Sequence, residues 1–440
     1  MGGSHRIPKK DLRFGALLEV LRDAVSTIPD SRDQERITYS LSDIYLSAFA
    51  LFYVQDPSLL EFQRRCQEQV QQNNISTVFG VDAIPSDSQL RDVIDEHGNE
   101  AIREVFGKYF HRLQRGKQLE SYRFLGQSYL IVIDGSEYFT SELIHCKKCL
   151  TKTSKKDGIK RYHHQILQGT LVHPEKREVI PLAPEFIRNE DGTEKQDCER
   201  AAGKRLVHAI KRDHPHLPII IAGDSLYSNT PFLRELTDCG FSYLLVAKPQ
   251  DHKSLYKDIA GLRNGGLLDS YTKEGQNGRE YLYEWVNGVD LTASADSEKV
   301  NYCCLTIRRN GKATYKNGWI TDIEITQENI EEVIRGGRAR WKIENEGFNT
   351  LKNHGYHLQH NFGHGTNNLS ETFFLLNLLA FFFHQIFQLC DGLYQEARSR
   401  FSARREFWNC IRSMFRLFIF PSWEELLERI NGPPLPVIDL

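Results

Sequence analysis

The hydrophobic and polar positions change rhythm three times along the chain. From residue 11 to about 120, apolar residues recur at helical spacing, as in LSDIYLSAFALFYV at 41–54. No two-residue alternation of the strand type interrupts them. PSDSQLRDVID at 85–95 offers Ser86 or Asp87 as an N-cap just after Pro85. At 128 short apolar runs of the buried-strand kind begin. They are SYLIVIDGSEYF (128–139), LPIIIAGDSLYS (217–228) and FSYLLVAKP (241–249). Between the first two lies KRYHHQILQGTLVHPEKREVIPL (160–182), with a hairpin signal at His173-Pro174-Glu175-Lys176. A polar stretch at 188–199 then leads into a helical 198–213. Strand, hairpin, helix, strand, helix, strand predicts an α/β or α+β domain.

From 265 to 323 the rhythm changes again. Four Asn-Gly pairs, at 277–278, 287–288, 310–311 and 317–318, punctuate β-prone runs such as REYLYEWV and NYCCLTIRR. Asn-Gly is the strongest short hairpin signal, so a β-rich insertion is expected here. Helical spacing resumes at Glu328 and runs to about Asp391, followed by a basic, aromatic stretch. The expected organisation is a helical region over 1–125, the first part of an α/β domain over 126–264 and the β-rich insertion over 265–325. The second part of that domain over 326–392 and a basic aromatic tail over 393–440 complete it.

Length and composition narrow this picture. At roughly 150 residues per domain, 440 residues make two or three domains. Lys+Arg 56 against Asp+Glu 58 leaves a net charge of −2, which excludes a polybasic DNA coat; nucleic-acid contacts must use local patches. Nine scattered cysteines, an odd number, suit a reducing cytoplasm rather than a disulfide framework. Met1 to Arg22 contains no signal-peptide core. FFLLNLLAFFFHQIFQL at 373–389 falls short of the roughly 20 residues of a membrane span and is interrupted by Asn377, His384 and Gln385. It reads as a buried core helix, and the chain as a cytoplasmic protein without a membrane segment.

Asp134 and Asp224 each close an apolar strand run. Either could be ordinary turn chemistry. Two carboxylates at the ends of neighbouring strands, however, make a site for a hard cation. A third ligand is sought on RARWKIENEGFNTLKN (338–353). At about 100° per residue, with Trp341 at zero, Phe348 falls near −20°, Glu344 near −60° and Leu351 near −80°. Glu346 falls near 140° and Ile343 near −160° by the same count. Glu344 thus lies inside an apolar seam, where it needs a metal or a cation; a salt bridge to Arg340, four residues back, is the plainer alternative. Cys146 and Cys149, with His163 and His164, could form a Cys₂His₂ zinc site or be two reduced surface thiols. Residues 145–164 carry a net +6, including Lys155, Lys156 and Lys160. Arg404 and Arg405 stand in a second basic run interleaved with Phe401, Phe407 and Trp408. Either patch could face DNA backbone or simply solvent. His354, His357, His360 and His364 read as an irregular loop without an assigned role.

VIDG at 132–135, IIIAGDSLYS at 219–228 and RWKIENEGFNTLK at 340–352 resemble the DDE transposases of bacterial insertion sequences. The likeness is strongest to the Tn5-like group, whose RNase H-like catalytic domain carries a β-rich insertion before the glutamate. The resemblance makes Asp134, Asp224 and Glu344 the metal-binding triad, with Glu346 in reserve. The intervals are 90 and 120 residues, the second containing the insertion. Arg340, Glu344 and Lys352 correspond to the Arg, Glu and Lys of the group's signature. Gly337 stands where that signature has tyrosine, and Lys352 lies eight residues after Glu344 instead of seven. The resemblance implies two Mg²⁺ (or Mn²⁺) ions, strand cleavage at the ends of an element and attack of the freed 3′-OH on target DNA. Arg340 and Lys352 would contact phosphate. Double-stranded DNA is the implied partner, recognised by the helical N-terminal region, with a homodimer holding two ends. The alternatives are a nuclease of the same fold that cuts without joining, and a catalytically silent DNA-binding relative.

Overall fold

The computed structural model describes residues 9–33, 35–66, 69–189 and 197–433. Met1 to Pro8 and, within the polar stretch, 190–196 lie outside them. The N-terminal region is helical as expected: α1 (Phe14–Ser26), α2 (Leu41–Tyr53), α3 (Leu59–Cys66), α4 (Gln69–Phe79), α5 (Asp87–Glu96) and α6 (Glu100–Arg115). Ser40 caps α2 in a reciprocal box with Asp43, satisfying backbone donors that the first turn leaves unpaired. Of the two candidates before α5, Ser86 is the cap, accepting from the backbone N–H of Gln89.

The region from 123 onward is mixed α/β. Its strands are β1 (Arg123–Phe124), β2 (Ser128–Ser141), β3 (Leu150–Thr153), β4 (Lys160–Val172), β5 (Ile180–Pro181) and β6 (Glu185–Ile187). Then follow α7 (Glu199–Asp213), β7 (Ile219–Gly223), α8 (Thr230–Asp238), β8 (Ser242–Ala247) and α9 (Lys253–Asn264). β2 is central, antiparallel to β4 and parallel to β7, which is parallel to β8. The apolar runs of β7 and β8 are buried almost throughout, which is why they read as continuous apolar segments.

The expected insertion is not a separate body. Its strands β9 (Asp269–Glu274), β10 (Arg279–Asp290), β11 (Lys299–Arg309) and β12 (Lys312–Thr321) continue the central sheet in the order β3-β4-β2-β7-β8-β12-β11-β10-β9. The junction is β12 against β8, with Trp319 opposite Val246. Asn277-Gly278 and Asn310-Gly311 make hairpin turns at positive φ; the other two Asn-Gly pairs lie within β10 and β12.

The chain returns across the sheet through α10 (Ile330–Arg338), a π-helical turn (Ile343–Phe348) and α11 (Asn349–Asn353). α10 packs on β8, β10 and β11, and the π-turn on β2. Close approach of α10 requires its glycines. A Cβ on Gly336 would lie 2.5 Å from the Phe124 ring, and one on Gly337 2.5 Å from Trp319 Nε1. The tryptophan of β12 therefore occupies the space beside position 337, leaving no room for the tyrosine of the signature. Gly337→Ala is expected to lower stability by about 1–3 kcal/mol through overpacking, read as a lower urea midpoint.

The stretch expected as a basic aromatic tail is helical. Its helices α13 (Gly392–Ser399), α14 (Arg404–Leu417) and α15 (Trp423–Asn431) join α12 (Leu369–Cys390) and the N-terminal helices in one helical body. α12 packs on α2, α5 and α6 and is buried inside the fold, a core helix as its sequence predicts. Trp408 and Trp423 pack with Tyr53. The Asn74 side chain donates to the carbonyls of Phe415 and Phe418. Phe407 and Trp408 are core residues, so the aromatic positions of this run serve packing rather than base stacking.

Candidate active site

Asp134 stands inside β2, not at its end; the strand continues through Gly135 to Ser141, so the Asp-Gly pair is not a turn. Asp224 directly follows β7, and its carboxylate accepts the backbone N–H of Leu226 at 2.8 Å. The two positions are brought together by register. β2 and β7 pair in parallel from Tyr129↔Ile219 to Val132↔Ala222, an offset of 90 that equals the sequence interval between the aspartates. Side chains two residues along a strand share a face, so Asp134 and Asp224 extend the Val132–Ala222 position on one side of the sheet.

The site is crowded with negative charge. Burial raises the Asp134 carboxyl to about 6; the Arg340 guanidinium pulls it down, and the charges of Asp224 and Glu199 push it up. Arg340 Nη1 lies 3.3 Å from Asp134 Oδ2 and its guanidinium sits 4.5 Å over the Trp341 ring. Arg340 therefore pairs with Asp134 and not with Glu344, which removes the plain helix salt bridge as an account of that glutamate.

Glu199, at the start of α7, is a fourth carboxylate that sequence reasoning missed. It accepts from Tyr227 Oη at 2.9 Å and from Gln165 Nε2 at 3.1 Å. A Cβ on Gly135 would come 2.5 Å from its Oε2, so the glycine after Asp134 makes room for it. Burial, then the field of Asp224, raises its carboxyl above the usual range against the pull of Tyr227. No local pattern marks Glu199, because its partners come from β4 and from the turn after β7.

The helical phase expected for the third ligand is wrong. Glu344 is exposed, while Ile343, expected on the far side, is buried. The reference residue Trp341 is itself 52% exposed, so it cannot mark the buried seam. The turn from Ile343 to Phe348 is also π-helical, closing i→i+5 and breaking the 100° step. That wider turn adds one residue to the helical path between Glu344 and Lys352. Glu346 is half-buried, with Arg177 3.8 Å away. Lys352 Nζ lies over the Phe348 ring. The oxygens of Asp134, Asp224 and Glu344 do not gather within 4.8 Å of one another among the described residues; a pair of ions would hold its carboxylates further apart than one shell.

The remaining candidates divide. Lys155 and Lys156 are exposed on the β3–β4 connection and Lys160 at the start of β4, while Arg161 is taken up by Glu142 and Asp157. Arg405 is exposed, and Arg404 lines an open groove with Arg177, Arg398 and Gln395. Arg177 links that groove to Glu346 beside the site. Arg412 instead donates to the carbonyls of Val54 and Gln55. Cys146, Cys149 and His164 do meet, but His163 does not join them: its Nε2 lies 4.0 Å from Glu137. Adjacent strand residues face opposite ways, so His163 and His164 could not both point into one site. His364, which sequence reasoning left without a role, is the fourth member.

Residues 145–382 match the family model described as "Transposase DDE domain", more than half of the chain and including Asp224, Arg340 and Glu344. No curated protein matches. A solved structure, the cryo-EM piggyBac transposase synaptic complex with hairpin DNA, aligns over 97% of this chain and 82% of that one, with 11% identity and a TM-score of 0.41.

Proposed function

The chain belongs to the transposase DDE-domain family, and from that premise we propose that Asp134, Asp224 and Glu344 form its metal-dependent site for DNA strand cleavage and transfer. The observation that carries this reading is the register that sets Asp134 beside Asp224, with Arg340 reaching Asp134 from the segment that bears Glu344.

The residues fit divalent ions. All donors are carboxylate oxygens, the set that suits Mg²⁺ or Mn²⁺, and burial holds the Asp134 carboxyl above its ordinary range in spite of the Arg340 guanidinium, so a bound cation would supply charge compensation that the protein lacks. Bound there, two ions would activate water or a 3′-hydroxyl and neutralise charge on the leaving 3′-oxygen. The protein's own groups orient this chemistry. Arg340, fixed between Asp134 and Trp341, directs a guanidinium at the scissile phosphate. Glu199, held by Tyr227 and Gln165, keeps Asp134 and Asp224 in a negative field that favours cation binding. Lys352 lies eight residues beyond Glu344, in α11, available to flanking phosphate. Lys155, Lys156, Lys160, Arg404 and Arg405 extend the path of the duplex, with the helical body at the element's ends. Two copies would hold two ends of an insertion-sequence element in a prokaryotic cytoplasm.

The test is Mg²⁺-dependent cleavage and joining on a duplex carrying the DNA that flanks the gene. Cleaved and joined products are expected. Cleavage without joining would replace the proposal with a nuclease, and binding without cleavage with a silent DNA-binding relative.

A further inference from the structure

Four potential ligand atoms converge away from the carboxylates. Cys146 Sγ and Cys149 Sγ are 3.8 Å apart. His164 Nε2 lies 3.6 Å from Cys146 Sγ and 3.5 Å from Cys149 Sγ. His364 Nε2 lies 3.4 Å from Cys149 Sγ and 3.1 Å from His164 Nε2. Zinc bonds of about 2.3 Å to sulfur and about 2.05 Å to nitrogen, at tetrahedral angles, set these edges at about 3.8 Å for S–S, about 3.5 Å for S–N and about 3.3 Å for N–N. The five measured edges follow that pattern within about 0.2 Å. The sulfurs are too far apart for a disulfide, whose bond is about 2.05 Å.

We propose that Cys146, Cys149, His164 and His364 bind one structural zinc ion that fastens the segment following the Glu344 helix to the catalytic sheet.

The surroundings support a closed site. Cys149, His164 and His364 are buried and Cys146 half-buried. Four protein ligands leave no open position, the mark of a structural rather than a catalytic zinc. His364 Nδ1 lies 2.8 Å from the Gly365 carbonyl; that oxygen can only accept, so Nδ1 carries the proton and Nε2 presents its lone pair to the cluster. The backbone N–H of Cys146 donates to Cys149 Sγ at 3.4 Å, which stabilises thiolate character. Gly363 and Gly365 take positive φ on either side of His364, giving the turn that presents it. Asp95 accepts the backbone N–H groups of Thr366 to Leu369 and anchors the far side of the same loop.

The topology gives the ion its purpose. Cys146 and Cys149 come from the connection between β2 and β3, and His164 from β4, so three ligands belong to the sheet that carries Asp134. His364 comes from the irregular stretch 354–368 between α11 and α12. A loop of that length without regular structure needs an anchor. Zinc would tie it to the sheet, while Gly336 and Gly337 fix the other end of the glutamate segment against Phe124 and Trp319.

The experiment measures metal content of the full-length protein and the spectrum of its Co²⁺-substituted form, neither of which depends on catalysis. Wild type is expected to carry about one zinc per chain and, with Co²⁺, to show tetrahedral d–d bands and thiolate charge transfer. Cys149→Ser and His364→Ala should lose the zinc, and His163→Ala should keep it. His364→Cys, which retains four ligands and guards against simple misfolding, should bind with stronger charge transfer. Asp134→Asn should retain the zinc, separating this ion from the carboxylate site. Wild type without zinc even after incubation with Zn²⁺ would overturn the proposal. So would loss of zinc in His163→Ala with retention in His364→Ala, or loss in Asp134→Asn.

Discussion

Asp134→Asn is expected to abolish DNA strand cleavage, by about 10³-fold or more, while making the metal-free protein more stable at pH 7. The amide keeps the shape and an oxygen that can accept the Gly135 N–H, 3.0 Å away, so the fold is undisturbed. What disappears is a charge that the folded state holds at a cost. With its carboxyl near 6 instead of 3.8, ionised Asp134 destabilises the folded protein by up to about 3 kcal/mol. That figure already contains the attraction to Arg340, so the expected stabilisation is about 1–3 kcal/mol. The sign with pH follows from the raised value. Between about pH 4 and pH 6 the folded state binds more protons than the unfolded state, so stability falls as pH rises through that window. The advantage of asparagine is therefore full at pH 7 and gone below about pH 4. Urea midpoints across that range check it; equal or lower stability of the variant at pH 7 would contradict the account of a buried carboxylate whose charge the folded state holds at a cost.

Arg340→Ala is expected to lower the rate of cleavage about 10²-fold without weakening divalent-ion binding. Arg340 is 3.3 Å from Asp134, so its loss leaves the carboxylates more negative and a cation at least as welcome. The phosphate, however, loses a planar donor fixed over Trp341. Arg340→Lys should recover only part of the rate, because an ammonium supplies charge without the fork or the stacking face. Mn²⁺ titration beside the kinetics separates the roles: a merely structural arginine would lose ion binding and rate together.

What the sequence made legible was mainly what repeats with a short period. The buried strands of Asp134 and Asp224 stand out as apolar runs, and their interval of 90 turns out to be the register offset of β2 on β7. The helical N-terminal region and the burial of α12 were readable for the same reason. The glutamate helix was not, because its phase was anchored on Trp341, whose ring is turned outward under Arg340, and because a π-turn breaks the regular step. The β-rich segment could be seen, but not its pairing with β8, since antiparallel addition to a sheet leaves no mark in either strand. Strand alternation alone should have excluded His163 beside His164. His364, 200 residues from His164, and Glu199, beneath Gly135, are placed by tertiary structure.

The most direct test of the triad compares wild type, Glu344→Ala and Glu346→Ala for Mg²⁺-dependent cleavage and strand joining on the same element-end duplex. Glu344 is expected to be indispensable, with both products lost, whereas Glu346→Ala, which removes the ion pair with Arg177, should retain cleavage and joining. Full activity in Glu344→Ala, with none in Glu346→Ala, would contradict the assignment of the third ligand.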